Sequence, residues 1–207
     1  MTVIAVDGPA ASGKGTLARR LAARYGLRHL DTGLVYRAVG LKVLREGLDP
    51  VAAARVVTLA DLERPELRSE AVGEAASKVA AIPEVRTALR ALQRRFAETP
   101  PGAVLDGRDI GTVVFPDAGA KIFVDASPEL RAERRHRELL ERGVASIYSR
   151  VLQDMRERDA RDRGRAVAPL TLAKDALVID SSELDADQVF ARALAYIGHI
   201  LPGLAPG

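Results

Sequence analysis

The chain has no cysteine among its 207 residues, and this absence removes several classes of chemistry. Disulfide bonds, zinc sites with cysteine ligands and thiol catalysis are all excluded. The three histidines, His29, His136 and His199, are far apart in the sequence and lack the spacing of metal ligands. We therefore interpret them as structural residues, so any catalysis must rely on other side chains.

Aromatic residues and long apolar runs are also scarce. Phe, Trp and Tyr make up only 4% of the chain, which leaves few side chains on which nucleic-acid bases could stack. No segment approaches the roughly 18 uncharged apolar residues that a membrane helix requires. A strand is predicted to begin at Thr2, which leaves no room before it for a secretory signal. We therefore expect a cytoplasmic monomer without nucleic-acid or membrane partners.

Charged residues are abundant, but the two signs nearly balance. The chain has 31 Lys and Arg residues against 28 Asp and Glu residues, which gives a formal net charge of +3. Such an excess could attract nucleic acid or small phosphorylated anions. The positions of the arginines in the sequence favour the small anions.

Short apolar segments alternate with helical patterns along the chain. The apolar segments predict strands, and Gly or Pro ends most of the helical patterns between them. Strands separated by helices are typical of a parallel sheet covered on both faces. The sequence thus predicts an α/β fold with strands at 3–6, 27–30, 103–105, 121–124 and 176–179.

A glycine-rich segment lies between the first predicted strand and the first predicted helix. Gly8 and Gly13 are five residues apart, and Lys14 follows directly. Such glycines let backbone N–H groups face phosphate oxygens, while the lysine reaches the β- and γ-phosphates. The strict pattern has Ser or Thr directly after the lysine, whereas here Gly15 comes before Thr16. A simple turn is the alternative, but the flanking strand and helix favour an ATP-binding P-loop formed by Gly8, Pro9, Ala10, Ala11, Ser12, Gly13, Lys14, Gly15 and Thr16.

Two further clusters follow predicted strands and could hold a second anion close to ATP. The segment 31–37, Asp-Thr-Gly-Leu-Val-Tyr-Arg, begins a helix, and an ordinary capped helix is the alternative interpretation. The segment 106–109, Asp-Gly-Arg-Asp, closes the third strand at the edge where ligands of open α/β sheets bind. Alone, this second segment could be a surface turn.

The segment 150–165 is dense in arginine and aspartate. Arg150, Asp154, Arg158 and Asp162 follow one another at i, i+4 spacing. This alternation usually indicates a solvated helix face with salt bridges. Its few core residues and its place before the last strand also suit a mobile lid, so both interpretations stay open.

Together these segments resemble the bacterial cytidylate kinases and, more broadly, the nucleoside monophosphate kinases. The resemblance covers nearly the whole chain, and its most specific parts are the segments 106–109 and 158–169. It implies a single domain with a P-loop NTPase-like sheet of five parallel strands flanked by helices. The core would comprise 1–46, 84–126 and 170–201, with a monophosphate-binding insertion at about 47–83 and a helical lid at about 127–169.

The resemblance also implies a reaction, in which the γ-phosphoryl group of ATP passes to CMP or dCMP with Mg²⁺ as cofactor. Phosphates and water would hold the Mg²⁺, with Thr16 as the one candidate protein ligand. Catalysis would rest on Lys14, Arg108, Arg158 and Arg165. The cytosine ring would be read by Ser77, Arg86 and Asp109, the monophosphate held by Thr32, Arg37, Arg108 and Arg165, and the sugar contacted by Arg158 and Asp162, with Tyr36 as a further CMP-binding residue.

Relatives with a small antiparallel sheet in the insertion have more residues there than the stretch 47–69 supplies.

Two other functions also remain open. A kinase for a small alcohol would need a carboxylate near the hydroxyl, and Asp31 or Asp109 could serve, although the many arginines favour a phosphorylated acceptor. The second alternative function is that of a P-loop switch or a nucleic-acid-binding regulator, but no GTPase-like specificity motif is apparent in the sequence.

Overall fold

The computed structural model describes residues 1–207 and contains five strands and eight α-helices. The strands are β1 (Thr2–Asp7), β2 (Arg28–Asp31), β3 (Gly102–Gly107), β4 (Ala120–Asp125) and β5 (Leu177–Asp180). The helices are α1 (Lys14–Arg24), α2 (Thr32–Glu46), α3 (Pro50–Val56), α4 (Glu70–Val79), α5 (Pro83–Ala97), α6 (Pro128–Glu141), α7 (Tyr148–Arg163) and α8 (Ala186–Ile200).

The five strands form one sheet in the order β2-β3-β1-β4-β5, and every neighbouring pair is parallel. The predicted α/β fold is confirmed, and the strand ends differ from the predicted ones by one or two residues. Because β1 is central, the loop that follows it lies in the middle of the carboxyl edge of the sheet. Parallel sheets bind ligands at this edge.

Alternate residues of the central strand face two different layers of helices. Val3 and Ala5 belong to a core cluster with residues of α2 and α5, whereas Ile4 and Val6 pack with residues of α1 and α8. The sequence of a strand that is buried on both faces is a continuous run of apolar residues. This explains why the segment Val3–Val6 has no polar residue although its side chains alternate between faces.

The segment assigned to the insertion, 47–83, is helical throughout its regular parts. Gly47 ends α2 in the left-handed conformation (φ 64°), and the Asp49 side chain accepts hydrogen bonds from the first turn of α3. Two short 3₁₀ turns, Leu59–Glu63 and Pro65–Arg68, then lead to α4. The segment contains no strand, which agrees with its length.

Helices α6 and α7 form the segment assigned to the lid. They pack against each other through a small apolar cluster of their own, made by Ala132, Leu139, Val151 and Met155. The segment was predicted to be helical, and the helices are confirmed. It also contains buried charged residues, which the sequence did not predict. No helix of the chain combines the length and the apolar character that a membrane crossing needs.

Candidate active site

The P-loop takes its shape from two glycines at positions where a side chain would clash with the backbone or strain it. A Cβ on Gly8 would lie 2.0 Å from the carbonyl oxygen of Val124 on the neighbouring strand. Gly13 directly precedes α1 with a φ of 92°, a conformation that L side chains rarely adopt. The loop therefore turns sharply from β1 into α1, and the free N–H groups at the start of α1 face the space above the sheet edge.

Lys14 lies at this helix start, and its ammonium group donates to the carbonyl oxygen of Pro9 at 3.5 Å. Burial, together with the nearby charge of Arg108, lowers the pKa of Lys14 to about 8. The lysine is thus held inside the loop without a close carboxylate partner. This environment suits a group whose charge is compensated by a bound polyanion.

A cavity of about 680 Å³ extends from the P-loop to the insertion and the lid. Part of its wall is formed by the backbone and side chains of Ala10, Ala11, Gly13, Lys14, Gly15 and Thr16. The opposite parts come from α2, α4, the turn after β3, α6 and α7. Four basic or polar residues predicted to bind CMP line it as well, namely Arg37, Ser77, Arg108 and Arg158.

Two carboxylates meet at the same end of the cavity as the P-loop. Asp31 is the last residue of β2 and pairs in register with Asp106, the last but one of β3, and both line the cavity with Thr16. His29 bonds to Asp106 through a ring nitrogen at 2.8 Å, which holds that carboxylate in place. Burial and the nearby Asp106 raise the pKa of Asp31, because two close negative charges repel each other. A hydroxyl and two carboxylates on one wall are a donor set that fits hydrated Mg²⁺.

Arginines from the turn after β3 and from α7 converge on one buried carboxylate. Asp162 accepts a hydrogen bond from Nε of Arg108 at 2.8 Å and another from Arg165. Burial alone would raise the pKa of Asp162, but Arg108, Arg165 and Arg158 hold it below its usual range. Burial and the repulsion of Arg108 lower the pKa of Arg158 to about 10. The cluster thus has more positive than negative charge and can accept an anion.

A second ion pair is buried next to this cluster. Nη2 of Arg86 donates to Oδ2 of Asp109 at 2.5 Å, and both side chains are 7% exposed. The guanidinium of Arg86 also lies 5.3 Å from the ring centre of Tyr36. A hydrogen-bond donor and an acceptor therefore stand side by side, although neither Arg86 nor Asp109 lines the cavity directly.

Arg37 and Thr32 connect α2 to the rest of the site. Arg37 donates to the carbonyl oxygens of Leu67 at 2.6 Å and Ser69 at 3.1 Å, which ties the insertion to α2. Burial and the charge of Arg135 lower the pKa of Arg37. Thr32 is buried and donates to the carbonyl oxygen of Asp106 at 2.8 Å, so its hydroxyl supports the strand edge.

All residues predicted for the site lie in or beside this one region, but they fall into two groups. One group lines the cavity. The other, made of Gly8, Pro9, Ser12, Thr32, Tyr36, Arg86, Asp109, Asp162 and Arg165, does not line it, and its members brace the loop or bond to lining residues. The sequence prediction gave no role to the lining residues Arg19, Asp106, Arg135 and Arg161, and it named Asp31 only for the alternative of an alcohol kinase. The position of Asp31 and Asp106 at strand ends was a signal for them, whereas nothing distinguished Arg135 among the arginines of α6.

Comparisons of the sequence with known proteins agree on one family. The family model described as "Cytidylate kinase" matches residues 4–199. A protein of Paramagnetospirillum magneticum named "Cytidylate kinase" is 62% identical over 206 residues, covering 95% of this chain and 98% of its own. A second, of Xanthobacter autotrophicus, is 62% identical over 200 residues, covering 94% and 96%. Among solved structures, a gluconokinase of Sinorhizobium meliloti has the same fold with a TM-score of 0.51, at 18% identity and coverages of 98% and 95%.

Proposed function

The chain belongs to the cytidylate kinase family, and from this premise we propose how its cavity transfers the γ-phosphoryl group of ATP to CMP or dCMP. The products are ADP and CDP or dCDP. The observation that carries the proposal is that one cavity of about 680 Å³ has the P-loop on one wall and arginines on the others. Such a cavity can hold two phosphorylated molecules with their phosphates facing each other.

The P-loop binds the phosphates of ATP, with Lys14 at the β- and γ-phosphates. Thr16, Asp31 and Asp106 face the same end of the cavity and would hold hydrated Mg²⁺ there. When bound, Mg²⁺ neutralises charge on the phosphate oxygens. The role of the protein at this end is to fix the donor in one orientation and to keep positive charge near the transferred group.

The acceptor phosphate of CMP is already ionised near neutral pH, so no side chain has to remove a proton from it. Arg108, Arg158 and Arg165 form a cluster around Asp162 that can neutralise this second anion. Arg37 adds a further positive charge from α2. The arginines therefore overcome the repulsion between two anions and stabilise the charge that spreads over the transferred phosphoryl group.

The buried pair of Arg86 and Asp109 matches the hydrogen-bonding edge of cytosine. The exocyclic amino group of cytosine can donate to Asp109, while its ring nitrogen and carbonyl accept from Arg86. Uracil reverses two of these features, and each unpaired buried polar group costs about 1–3 kcal/mol. Because the pair lies behind the cavity wall, a base reaches it only when the insertion and the lid move apart, and their closure then excludes water.

Two alternative functions lose their support. A kinase for a small alcohol would use Asp109 or Asp31 to activate a hydroxyl. Asp109 is paired with Arg86 behind the cavity wall and away from the P-loop, and Asp31 lies beside Asp106 at the P-loop end of the cavity. The likeness to a gluconokinase at 18% identity shows the fold alone, and the family match disfavours a P-loop switch.

A panel of acceptors tests the proposed base recognition. We expect kcat/KM for CMP and dCMP to exceed that for UMP at least about tenfold, because one unpaired buried group corresponds to roughly that factor. AMP and GMP should be poorer still, since their larger rings do not fit beside the short insertion. ADP release in a coupled assay measures all five, and UMP or AMP equal to CMP would refute this recognition.

We further propose that the enzyme works as a monomer in the cytoplasm. The cavity is built from the elements of one chain, so a single copy supplies the arginines, the P-loop and the insertion. Light scattering after size-exclusion chromatography tests this, and a dimer mass at assay concentration would contradict it.

A further inference from the structure

Asp7 is a buried carboxylate to which the proposed reaction assigns no role. It is the last residue of β1 and directly precedes Gly8 of the P-loop. Its exposed fraction is only 5%. Oδ1 accepts a hydrogen bond from the backbone N–H of Ile110 at 2.9 Å, and Oδ2 accepts one from the N–H of Gly111 at 2.8 Å.

This carboxylate is costly for the folded chain. The stem of Lys121 lies close to Gly111, but its ammonium group is bound to Asp175 at 2.8 Å and not to Asp7. Burial raises the pKa of Asp7 to about 7, even though its two backbone hydrogen bonds act in the opposite direction. A buried charge without an ion pair destabilises the folded state, so packing alone does not account for an aspartate here.

The two N–H groups that Asp7 binds belong to the turn that presents the acceptor-side residues. Ile110 and Gly111 directly follow Arg108 and Asp109 in the sequence. They begin a single helical turn, Ile110–Val114. The carbonyl oxygen of Asp109, just before this turn, accepts a hydrogen bond from the backbone N–H of Val113 at 2.9 Å. The first N–H groups of a helical turn have no hydrogen-bond partner within the turn. Here the Asp7 side chain accepts a hydrogen bond from each of these two N–H groups.

We propose that Asp7 is a positioning residue which fixes the turn carrying Arg108 and Asp109 against the P-loop. One end of Asp7 is covalently joined to the donor loop, and the other holds the acceptor turn through two hydrogen bonds. The side chain thus sets the separation between the phosphoryl donor and the groups that read the base. This inference rests on the proposed role of Asp109 in cytosine recognition.

The variant Asp7→Asn tests the inference with little change in volume. A carboxamide has one acceptor oxygen, and its NH₂ group would face one of the two N–H groups, so the turn must shift. We expect the ratio of kcat/KM for CMP to that for UMP to fall at least about tenfold, the effect of one unpaired buried group. The fall should come from a higher KM for CMP, with the KM for ATP within about twofold of the wild-type value, because both hydrogen bonds of the Asp7 side chain go to the acceptor turn and none goes to the P-loop.

Ile197→Val is the matched control for lost stability. Ile197 is fully buried in α8 and packs with the core on the α1 side of the sheet. This variant should lower the melting temperature while leaving the CMP to UMP ratio unchanged. An Asp7→Asn enzyme that keeps the wild-type ratio overturns the inference, whatever its melting temperature.

Asp109→Ala, assayed in parallel, separates the inference from its premise. If Asp109→Ala keeps the preference for CMP, the base-reading role of Asp109 and the inference both fail. If Asp109→Ala loses the preference and Asp7→Asn keeps it, only the inference fails. Should Asp7→Asn not fold, Asp7→Ser replaces it, because the smaller hydroxyl can accept from only one of the two N–H groups, and a wild-type ratio in that variant is equally decisive.

Discussion

Several ionisable side chains in and beside the site, among them Lys14, Arg158, Asp7 and Asp31, have pKa values shifted toward their neutral forms. The pKa values of Lys14 and Arg158 are lowered, and those of Asp7 and Asp31 are raised. Burial is the largest cause for each of the four. Such groups reduce the stability of the folded chain, and they are expected where a charged ligand supplies the missing compensation.

Lys14→Met should nearly abolish phosphoryl transfer and make the protein more stable. The folded chain lowers the pKa of Lys14 from 10.5 to about 8, so the charged form is disfavoured in the folded state at neutral pH. Methionine keeps an apolar stem without the charge, and the free energy of unfolding should rise by roughly 1–3 kcal/mol at pH 7.

A coupled assay of ADP release and urea denaturation measure the two effects of Lys14→Met. The stability difference should shrink as pH rises from about 8 to above 10, because wild-type Lys14 then loses its proton in both states. Lys14→Ala serves as a second variant and should be equally inactive. Unchanged turnover in either variant would contradict the P-loop assignment.

Asp7 should make wild-type stability depend on pH in a range where Asp7→Asn does not. Its pKa is raised from 3.8 to about 7 by burial and, in smaller part, by Asp109, against the effect of Arg108. A raised pKa contributes stability that is complete below pH 3.8 and is lost as pH rises through about 7. The free energy of unfolding of the wild type relative to Asp7→Asn should therefore fall by a few kcal/mol between those limits, at about 1.4 kcal/mol for each pH unit. Urea titrations of both proteins from about pH 4.5 to about pH 8 test this, and a constant difference would contradict it.

At the scale of elements, α7 shows what a charge pattern can and cannot predict. The spacing of Arg150, Asp154, Arg158 and Asp162 fitted both a solvated face and a lid. In the structure Arg150 and Asp154 are exposed, whereas Asp162 is buried under Arg108. The pattern predicted the helix, but it could not show which of its charged residues are buried. Asp162 is buried against Arg108 of the distant segment 106–109, and Asp159 is buried against Arg131 of α6.

Arg158→Ala and Arg165→Ala should each reduce kcat/KM for CMP by about 100-fold or more, the loss typical of a group that stabilises transition-state charge. Their effect on the melting temperature should be much smaller than their effect on activity, because burial already disfavours the charge of both residues and Arg108 remains bonded to Asp162. Arg150→Ala is the matched control at an exposed position of the same helix. A fully exposed helix face would give the opposite result, with full activity in all three variants and losses of a few tenths of a kcal/mol.

The sequence was sufficient to predict the strands, the P-loop and the helices of the insertion and the lid, because each of these depends on local sequence. Short apolar runs, Gly8 with Gly13, and Gly47 all act within a few residues. Arg131 was not predictable, since it lies in an arginine-dense helix yet is 1% exposed. It is paired with Asp159, 28 residues away, and also donates to the carbonyl oxygen of Ala10. Such long-range pairing leaves no periodic signal, and the same holds for the contacts of Asp7.

For the whole molecule, the lid is the element that touches both ends of the cavity. At the P-loop end, Arg131 donates to the carbonyl oxygen of Ala10 at 3.3 Å. At the insertion end, Arg142 reaches the carbonyl oxygen of Arg68 at 3.4 Å and Arg161 donates to Ser77 at 3.3 Å. A movement of α6 and α7 therefore changes the walls around both substrates at once. Ligands that both favour the closed lid must strengthen each other's binding.

We expect this coupling to be measurable by calorimetry with CMP and a non-hydrolysable ATP analogue. The Kd for CMP should fall at least about fivefold when the analogue is saturating, and the Kd for the analogue should fall by the same factor with CMP, as linkage requires. Arg142→Ala removes a contact between lid and insertion without removing a residue that lines the cavity. That variant should bind CMP alone as the wild type does and show a smaller coupling factor. Equal Kd values for CMP with and without the analogue in the wild type would mean that the lid does not link the two substrates.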